Sequence, residues 1–370
     1  TSPEQLMQGR APGVQITQSS GEPGGPINVR IRGTSSVYGG NNPLFVIDGV
    51  PLSGDNTSSG SDTYGVGRQS AKNPLNFLNP DDIASMDILK DASATAIYGS
   101  RGANGVVFIT TKKGKGKGSL DYGFSMGTST ITKKYDLLNA KEFAAANPAQ
   151  DLGSDTDWQK ELFRTAYTQQ HNLSYGGGDA TGNYRFSLGY MDQNGIVKNS
   201  GIKRYSVGFS GTKKFINNRL TLGSSVNLAN TKDSGVPISE TAGYEGDLLS
   251  STLKSNPTMP VFVTNSAGER IYNQVALNEP NPAAFLNYSR DNTNTLRALG
   301  NVNAELEIIS GLKFKTVLGF DQSLSARKMA SSRDLRVNNV FEIGRAYFND
   351  VERAEEYDTQ LSSRLLISKF

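Results

Sequence analysis

From Ser119 onward the chain alternates apolar and polar residues one by one, over segments of ten residues or more. In Leu120–Met126 the even positions are Leu120, Tyr122, Phe124 and Met126; in Tyr184–Tyr190 they are Tyr184, Phe186, Leu188 and Tyr190. Tyr205, Val207 and Phe209 continue the pattern, as do Leu220, Leu222, Val226 and Leu228, then Leu296–Ile308, Leu312–Phe320 and Tyr357–Phe370. With a segment at Gln170–Gly178, eight are legible. A period of two sustained this long makes a sheet with one apolar and one polar face. No stretch of apolar residues approaches the ~18 of a membrane helix. Whatever these segments cross or pack against, they do so as strands.

The connections narrow the choice. Segments two and three meet at Asp179–Gly182, four and five at Asn217-Asn218, six and seven at Ile309-Ser310-Gly311. Between these short turns lie connections of roughly 35, 10 and 60 residues, where hairpin loops ordinarily have 2–5. Short and long alternate throughout. Outer-membrane barrels do this, because their periplasmic turns are short and their extracellular loops long. Turn chemistry agrees with the faces. An Asn217-Asn218 turn, with positive φ at both residues, pairs Phe215 with Leu220, Phe209 with Val226 and Val207 with Leu228. A three-residue loop ending in Gly311 pairs Ile308 with Leu312 and Leu306 with Phe314. That register sets Glu307 across from Lys313 and Glu305 across from Lys315 as ion pairs on the lumenal face, with Cβ separations of roughly 4.5–5.5 Å. Tyr175, Tyr184, Phe215 and Phe314 fall near the short turns on the apolar side, as a periplasmic aromatic girdle.

Composition excludes several classes. Lys plus Arg is 38 and Asp plus Glu 35, a formal charge of +3, too balanced for a protein that lives off nucleic-acid phosphates or anionic lipid. Cysteine is absent and histidine occurs once, so thiolate or imidazole metal sites and Ser–His or Cys–His catalysis have little to build on. No cofactor, metal or catalytic residue is expected. Asp151, Asp155 and Asp157 lack calcium-loop spacing, and helix capping ahead of Trp158 accounts for them better. Trp158, Leu162 and Phe163 make an amphipathic face that packs inside a loop, and His171 is expected at the rim or in the lumen.

Residues ahead of the alternating region read as a compact α+β unit. Ser2-Pro3-Glu4 starts a short helix that Gly9 stops. Strands are expected at Val14–Thr17, Ile27–Arg32, Leu44–Ile47, Ile83–Leu89 and Gly105–Thr111, with an Ala-rich helix at Asp91–Tyr98 closed by Gly99. Asp48-Gly49 supplies a tight hairpin turn. The basic stretch Lys112–Gly118 is a solvated linker between the two regions.

This first unit resembles a known family. The runs NVRIRGTSS, GNNPLFVIDGVPL and LNPDDIASMDILKDASATAIYGSRGANGVVFITTKKGK resemble the plug of TonB-dependent outer-membrane transporters of the SusC/RagA branch, and DWQKELFRTA at Asp157–Ala166 fits the same branch. The resemblance implies a plug domain at 1–117 and the N-terminal part of a transmembrane β-barrel at 118–370, antiparallel and with long extracellular loops. Such a barrel has about 22 strands around a plugged lumen, so eight make an incomplete wall and the chain reads as the interior of a longer protein. It also implies import of an oligosaccharide or oligopeptide across the outer membrane, with a SusD-like surface lipoprotein as partner and TonB acting through a segment ahead of the plug. A dimer of transporter–lipoprotein pairs is implied by the same resemblance. A passive porin or nutrient receptor is the alternative, and a soluble glycan-binding protein or hydrolase a third reading that the turn pattern disfavours.

Two outward loops of such a plug correspond to Thr34–Pro43 and Leu52–Asn73, which makes Tyr38, Asn41, Asn42, Asp55, Asn56, Tyr64 and Arg68 the candidate substrate contacts. Arg30 and Arg32 share one face of their strand and, with Arg101, are expected to dock the plug against lumenal carboxylates.

Overall fold

The computed structural model describes residues 2–18, 21–31, 33, 42–52, 72–90, 96–238, 248–274, 281–332, 334–335 and 354–369. It opens with a single 3-10 turn at Glu4–Met7, for which Pro3 is the cap residue instead of the first helical position. Gly9, with φ 73°, leaves no room for a longer helix. Strands β1 (Val14–Gln18) and β2 (Ile27–Ile31) form an antiparallel pair with Val14 opposite Ile31. Next come β3 (Leu44–Ile47), β4 (Val50–Pro51), β5 (Ile83–Leu89) and β6 (Val106–Thr111), a four-stranded sheet in the order β4-β3-β6-β5.

The β3–β4 turn is Asp48-Gly49, with φ of 47° and 88°, as two positive-φ positions of a tight hairpin require. Asp48 also ties the turn to β6, its carboxylate accepting from the Thr111 amide at 2.9 Å and the Thr111 hydroxyl at 2.6 Å. Ile47, Leu75, Leu78, Val107 and Ile109 make a core with at most 1% of each exposed. Of the helix expected at Asp91–Tyr98, residues 91–95 lie outside the described residues. Its remainder belongs to a 3-10 stretch, Ala96–Gly102, broken at Gly99 by φ 60°, ψ −146°.

The second region is one antiparallel sheet. Its strands are β7 (Ser119–Ser129), β8 (Ala166–Asp179), β9 (Gly182–Asn194), β10 (Gly201–Phe215) and β11 (Leu220–Gly235). After an inserted hairpin, β12 (Phe262–Thr264) with β13 (Arg270–Tyr272), come β14 (Ser289–Ile309), β15 (Leu312–Ser331) and β16 (Ala354–Lys369). The eight long strands stand in chain order from β7 to β16 and the sheet is open, a wall and not a closed barrel.

The wall is inside out by the standard of a soluble sheet. Its apolar positions are exposed, Phe209 at 46% and Leu222 at 40%, while its buried positions include Arg204, Ser210, Thr231, Arg297 and Asp321. The buried face carries the plug. Leu299 and Ala229 of the wall belong to the core cluster of the small unit, and Gly319 of β15 meets Val50 so closely that an added Cβ would lie 2.5 Å from Val50 Cγ2. Tyr175, Tyr184, Phe215 and Phe314 all lie on the exposed apolar face near the short turns. His171 is on the outward face too, within β8 and not in the lumen. Its Nδ1 is 2.8 Å from Tyr122 Oη and its ring centroid 4.8 Å from that of Phe124.

Registers obey the alternation. Phe215 pairs with Leu220, Phe209 with Val226 and Val207 with Leu228. The β10–β11 turn carries positive φ at Ile216, Asn217 and Asn218, one residue more than the Asn pair requires, and the Arg219 amide donates to the Ile216 carbonyl at 3.0 Å. At the β14–β15 turn Leu306 pairs with Phe314, Glu307 with Lys313 and Glu305 with Lys315, but the innermost pair is Ile309 with Leu312. A bulge between Glu307 and Ile309 absorbs the odd residue, so the loop closes on Ser310-Gly311 and the faces stay in phase.

At the opposite end, helices α1 (Ala140–Ala146), α2 (Trp158–Leu162), α3 (Leu248–Lys254) and α4 (Pro282–Tyr288) come from the long loops. Among the described residues no helix is long and apolar enough to cross a membrane. The strands carry the relevant dimension. On β10 the outward positions between Lys203 and Lys213 are Tyr205, Val207, Phe209 and Gly211. That length of strand covers about 33 Å, or about 25 Å along the normal at a tilt of roughly 40°, the height of an outer-membrane apolar band. A lysine at Val207, near the middle of the band, is therefore expected to destabilise the bilayer-inserted protein by roughly 2–4 kcal/mol, and Lys203→Leu at the edge by no more than about 1. Denaturant unfolding from lipid vesicles measures both.

Candidate functional site: the seam between plug and wall

Residues Lys72–Asp82 (KNPLNFLNPDD) run along the buried face of the wall and make most of the polar contacts between the two units. Two Asn-Pro pairs shape this segment. Asn73 Oδ1 accepts from the Leu75 amide at 2.8 Å, and Asn79 Oδ1 accepts from the Asp81 amide at 3.2 Å. Each asparagine thereby starts a turn that the next residue, a proline with its fixed φ, stabilises. Leu75, Phe77 and Leu78 enter the plug core. The carbonyls of Pro74, Asn76 and Leu78 are left facing the wall.

Guanidinium groups of the wall take them. Arg297 on β14 donates from Nη1 to Pro74 O at 2.9 Å, and its guanidinium lies 4.6 Å from the Phe77 ring centroid. Arg204 on β10 donates to Asn76 O at 3.2 Å and Leu78 O at 3.0 Å. Both arginines are buried. Arg297 is held in place by a two-pronged pair with Asp321 on β15, Nε to Oδ1 at 2.9 Å and Nη2 to Oδ2 at 2.7 Å. The planar guanidinium fork fits a carboxylate on one edge and leaves a donor for the carbonyl on the other.

The end of the segment is anionic and meets the first strands of the wall. Asp82 accepts from Arg185 Nη1 at 2.6 Å and from the Ser187 hydroxyl at 2.8 Å. Asp81 accepts from Gln170 Nε2 at 3.1 Å and from Asn172 Nδ2, and Asn79 Nδ2 donates to Asn172 Oδ1 at 2.8 Å. Farther along, Asn301 Nδ2 donates to Asp48 O at 3.2 Å and the Ser210 hydroxyl to Lys112 O at 3.2 Å.

Along Lys72–Asp82 the cations sit on the wall and the carboxylates and carbonyls on the plug, a contact that the expected plug arginines do not make. Arg30 lies on β2 across from Gln15, Arg32 is outside the described residues, and Arg101 donates to Leu52 O within the plug. On the wall side Asp321 and Asp291 are engaged by Arg297 and Arg327 of the wall itself. Arg185, Arg204 and Arg297 were legible as inward positions of their strands; the carbonyls that Arg204 and Arg297 reach leave no mark in the sequence.

Of the candidate substrate residues, Tyr38, Asn41, Asp55, Asn56, Tyr64 and Arg68 lie outside the described residues; Asn42 is half-buried just ahead of β3. Glu305 and Glu307 pair across the strands with Lys315 and Lys313 as the register requires, but the ion pair formed is diagonal, Lys313 Nζ to Glu305 Oε1 at 2.9 Å. Long side chains reach diagonal neighbours readily. Trp158 is packed within the loops, its Nε1 donating to Asn256 O at 2.8 Å, and Asp157 caps α2 through the Lys160 amide at 2.9 Å.

Comparison with known proteins places this geometry. Residues 1–106 match the family model of the TonB-dependent Receptor Plug Domain. The TonB-dependent receptor SusC of Bacteroides thetaiotaomicron is 35% identical over 335 residues, 82% of this chain and 32% of that protein. TonB-dependent receptor P3 of Formosa agariphila is 37% identical over 328 residues, 86% of this chain and 30% of that one. The chain thus spans about a third of the length of these curated relatives, 32% and 30% respectively. Among solved structures, the RagAB peptide importer in its open-open state superposes with a TM-score of 0.73 at 26% identity, covering 91% of this chain and 40% of the other.

The seam makes a stability prediction. Arg297→Met leaves the Asp321 carboxylate buried without its cation and Pro74 O without its donor, which is expected to cost about 3–5 kcal/mol. Arg297→Met with Asp321→Leu removes both charges and should recover most of that loss. Denaturant unfolding of the single and double variants gives the comparison.

Proposed function

The chain belongs to the SusC/RagA-type TonB-dependent transporters, and we propose that it serves the import of a nutrient oligomer, an oligosaccharide or oligopeptide, across the outer membrane. In this reading residues 1–117 act as the plug and 118–370 as the first part of the barrel wall. The wall crosses the outer membrane with its short turns in the periplasm and its helical loops outside. A SusD-like surface lipoprotein delivers the substrate, TonB supplies the work through a segment ahead of the plug, and two transporter–lipoprotein pairs associate as a dimer.

The observation that carries the reading is the chemistry of the seam. A plug fixed for good would be held best by apolar packing, as inside a soluble domain. Here the Lys72–Asp82 segment is held largely by hydrogen bonds from wall side chains to its carbonyls and carboxylates. Each of these groups finds water when the plug shifts, so separation costs far less than the gross strength of the bonds. Such a seam keeps the lumen closed at rest and still yields to a pull. Tyr38, Asn41, Asn42, Asp55, Asn56, Tyr64 and Arg68 remain the proposed substrate contacts, since hydroxyl-rich or peptide ligands suit amide, carboxylate and aromatic groups.

Two outcomes check this. The Cβ positions at Val50 and Gly319 are 3.3 Å apart, close to disulfide geometry, and the chain has no native cysteine. In the complete transporter, Val50→Cys with Gly319→Cys should abolish uptake when oxidised and regain it on reduction, and an uncoupler should stop uptake by the unlocked protein. Uptake that survives both the lock and the uncoupler would instead establish a passive pore. Separately, Tyr64→Ala with Arg68→Ala should weaken substrate binding about tenfold without lowering expression, the size expected for losing one or two good polar contacts.

A further inference from the structure

The outward face of the wall has a charged edge that import does not explain. By register, Gln169, Asp192, Lys203, Lys232 and Asn294 form one row across β8 to β14, on the side of the long loops. The row beneath it is His171, Tyr190, Tyr205, Asn230 and Leu296. Below that the outward residues are apolar.

Lys203 and Lys232 are directly opposite each other on neighbouring strands, both exposed. Like charges in that position are destabilising. Asp192 answers only one of them: its carboxylate lies 2.9 Å from Lys203 Nζ and also accepts from Tyr190 Oη at 3.2 Å. Among the described residues Lys232 has no ion-pair partner, so the row carries one cation in excess. Directly beneath the lysines a groove of about 520 Å³ opens on the same face, lined by Tyr205, Val207, Leu228, Asn230 and Leu296. The opposite edge of the band is built differently. Lys213 stands across from Leu222 and donates to Thr181 Oγ1 at 2.8 Å.

We propose that Lys203, Lys232 and the groove below them hold a phosphorylated, acylated lipid of the surrounding leaflet. The phosphate sits between the two ammonium groups and relieves their repulsion, and an acyl chain lies in the groove. Tyr190 and Tyr205 stand at the level where ring and hydroxyl face hydrocarbon and headgroup together. An apolar groove by itself accepts any chain; the paired lysines select the anionic headgroup. The site rests on the reading that the wall spans the outer membrane with its long loops outside.

The test uses the full-length protein in nanodiscs of phosphatidylcholine doped with bisphosphorylated lipid A or with its dephosphorylated form, bound lipid being counted by native mass spectrometry. The phosphorylated lipid is expected to be retained and the dephosphorylated one not. Lys203→Gln with Lys232→Gln should weaken retention roughly 30-fold, about one decade or less for each lysine lost near a charged membrane surface. Lys203→Arg with Lys232→Arg and, at the other edge, Lys213→Gln should keep it. Equal retention of the two lipids, unchanged retention in the glutamine variant, or loss in the arginine variant overturns the site. Flotation with phosphatidylcholine vesicles tests the underlying reading separately. A protein that does not float refutes the membrane-spanning wall, and one that floats without distinguishing the lipids refutes only the site.

Discussion

Hydrocarbon offers no partner to a backbone amide, and the geometry of the wall is a consequence. Each long strand from β8 to β15 is paired along both edges, and the pairing runs in unbroken register for sixteen residue pairs between β11 and β14. Once backbone groups are consumed in this way, side chains alone decide which face meets which surroundings. The strict alternation then acts as a lock. A slip of one residue at the β14–β15 turn would carry Lys313 and Lys315 to the outward face, at a cost larger than any cross-strand pair returns. The bulge between Glu307 and Ile309 shows this ordering of energies: the turn is distorted locally so that the faces stay in phase.

An outward apolar face leaves the other face polar, and the plug has to be received on those terms. Buried arginines of the wall would be costly in water-free surroundings, and pairing within the wall, Arg297 with Asp321 and Arg327 with Asp291, neutralises two of them before the plug contributes anything. The remaining donors reach for carbonyls that the turns of Lys72–Asp82 leave open. The Asp82–Arg185 pair is the exception, a charge on each side of the seam, both largely buried. Packing contributes as well, at Val50 against Gly319 and through Leu299 and Ala229.

Much of this was legible in the sequence and some could not be. Period two, the alternation of short and long connections and the Asp48-Gly49 and Asn217-Asn218 turns determine strand number, order and register, because each is a local property of the chain. The expectation for docking rested on Arg30 and Arg32, which look like a cationic face in search of carboxylates, and it passed over the Lys72–Asp82 segment. The groups that matter are carbonyls of Pro74, Asn76 and Leu78, which every residue possesses and no residue type announces. The two Asn-Pro pairs at Asn73-Pro74 and Asn79-Pro80 were the available signal, marking a segment that must turn twice and leave its carbonyls unpaired. His171 was misplaced for a related reason: a lone polar ring on an alternating strand has a defined parity, and counting back from Leu173 and Tyr175 puts it outward.

The long loops show the same chain returning to ordinary solvent. Leu162, Val197, Leu248 and Phe285 bury against one another, and Trp158, Met259 and Ala283 form a neighbouring cluster, apolar side inward as in any water-soluble domain. The two longest loops are stitched together by Trp158 to Asn256, by Thr156 Oγ1 to Met259 O at 2.7 Å and by the Leu152 amide to Thr258 Oγ1 at 2.9 Å. Apolar residues therefore point inward in the plug, outward in the wall and inward again in the loops. The sign changes where the surroundings change: on β10 the upper change falls between Tyr205 and Lys203, and on β11 one row lower, between Leu228 and Asn230. A residue's burial in this protein is thus set by its height along the strand as much as by its type. The edge of the band is where both solvents are within reach of one side chain, and a lysine there can keep its stem in hydrocarbon and its charge in water.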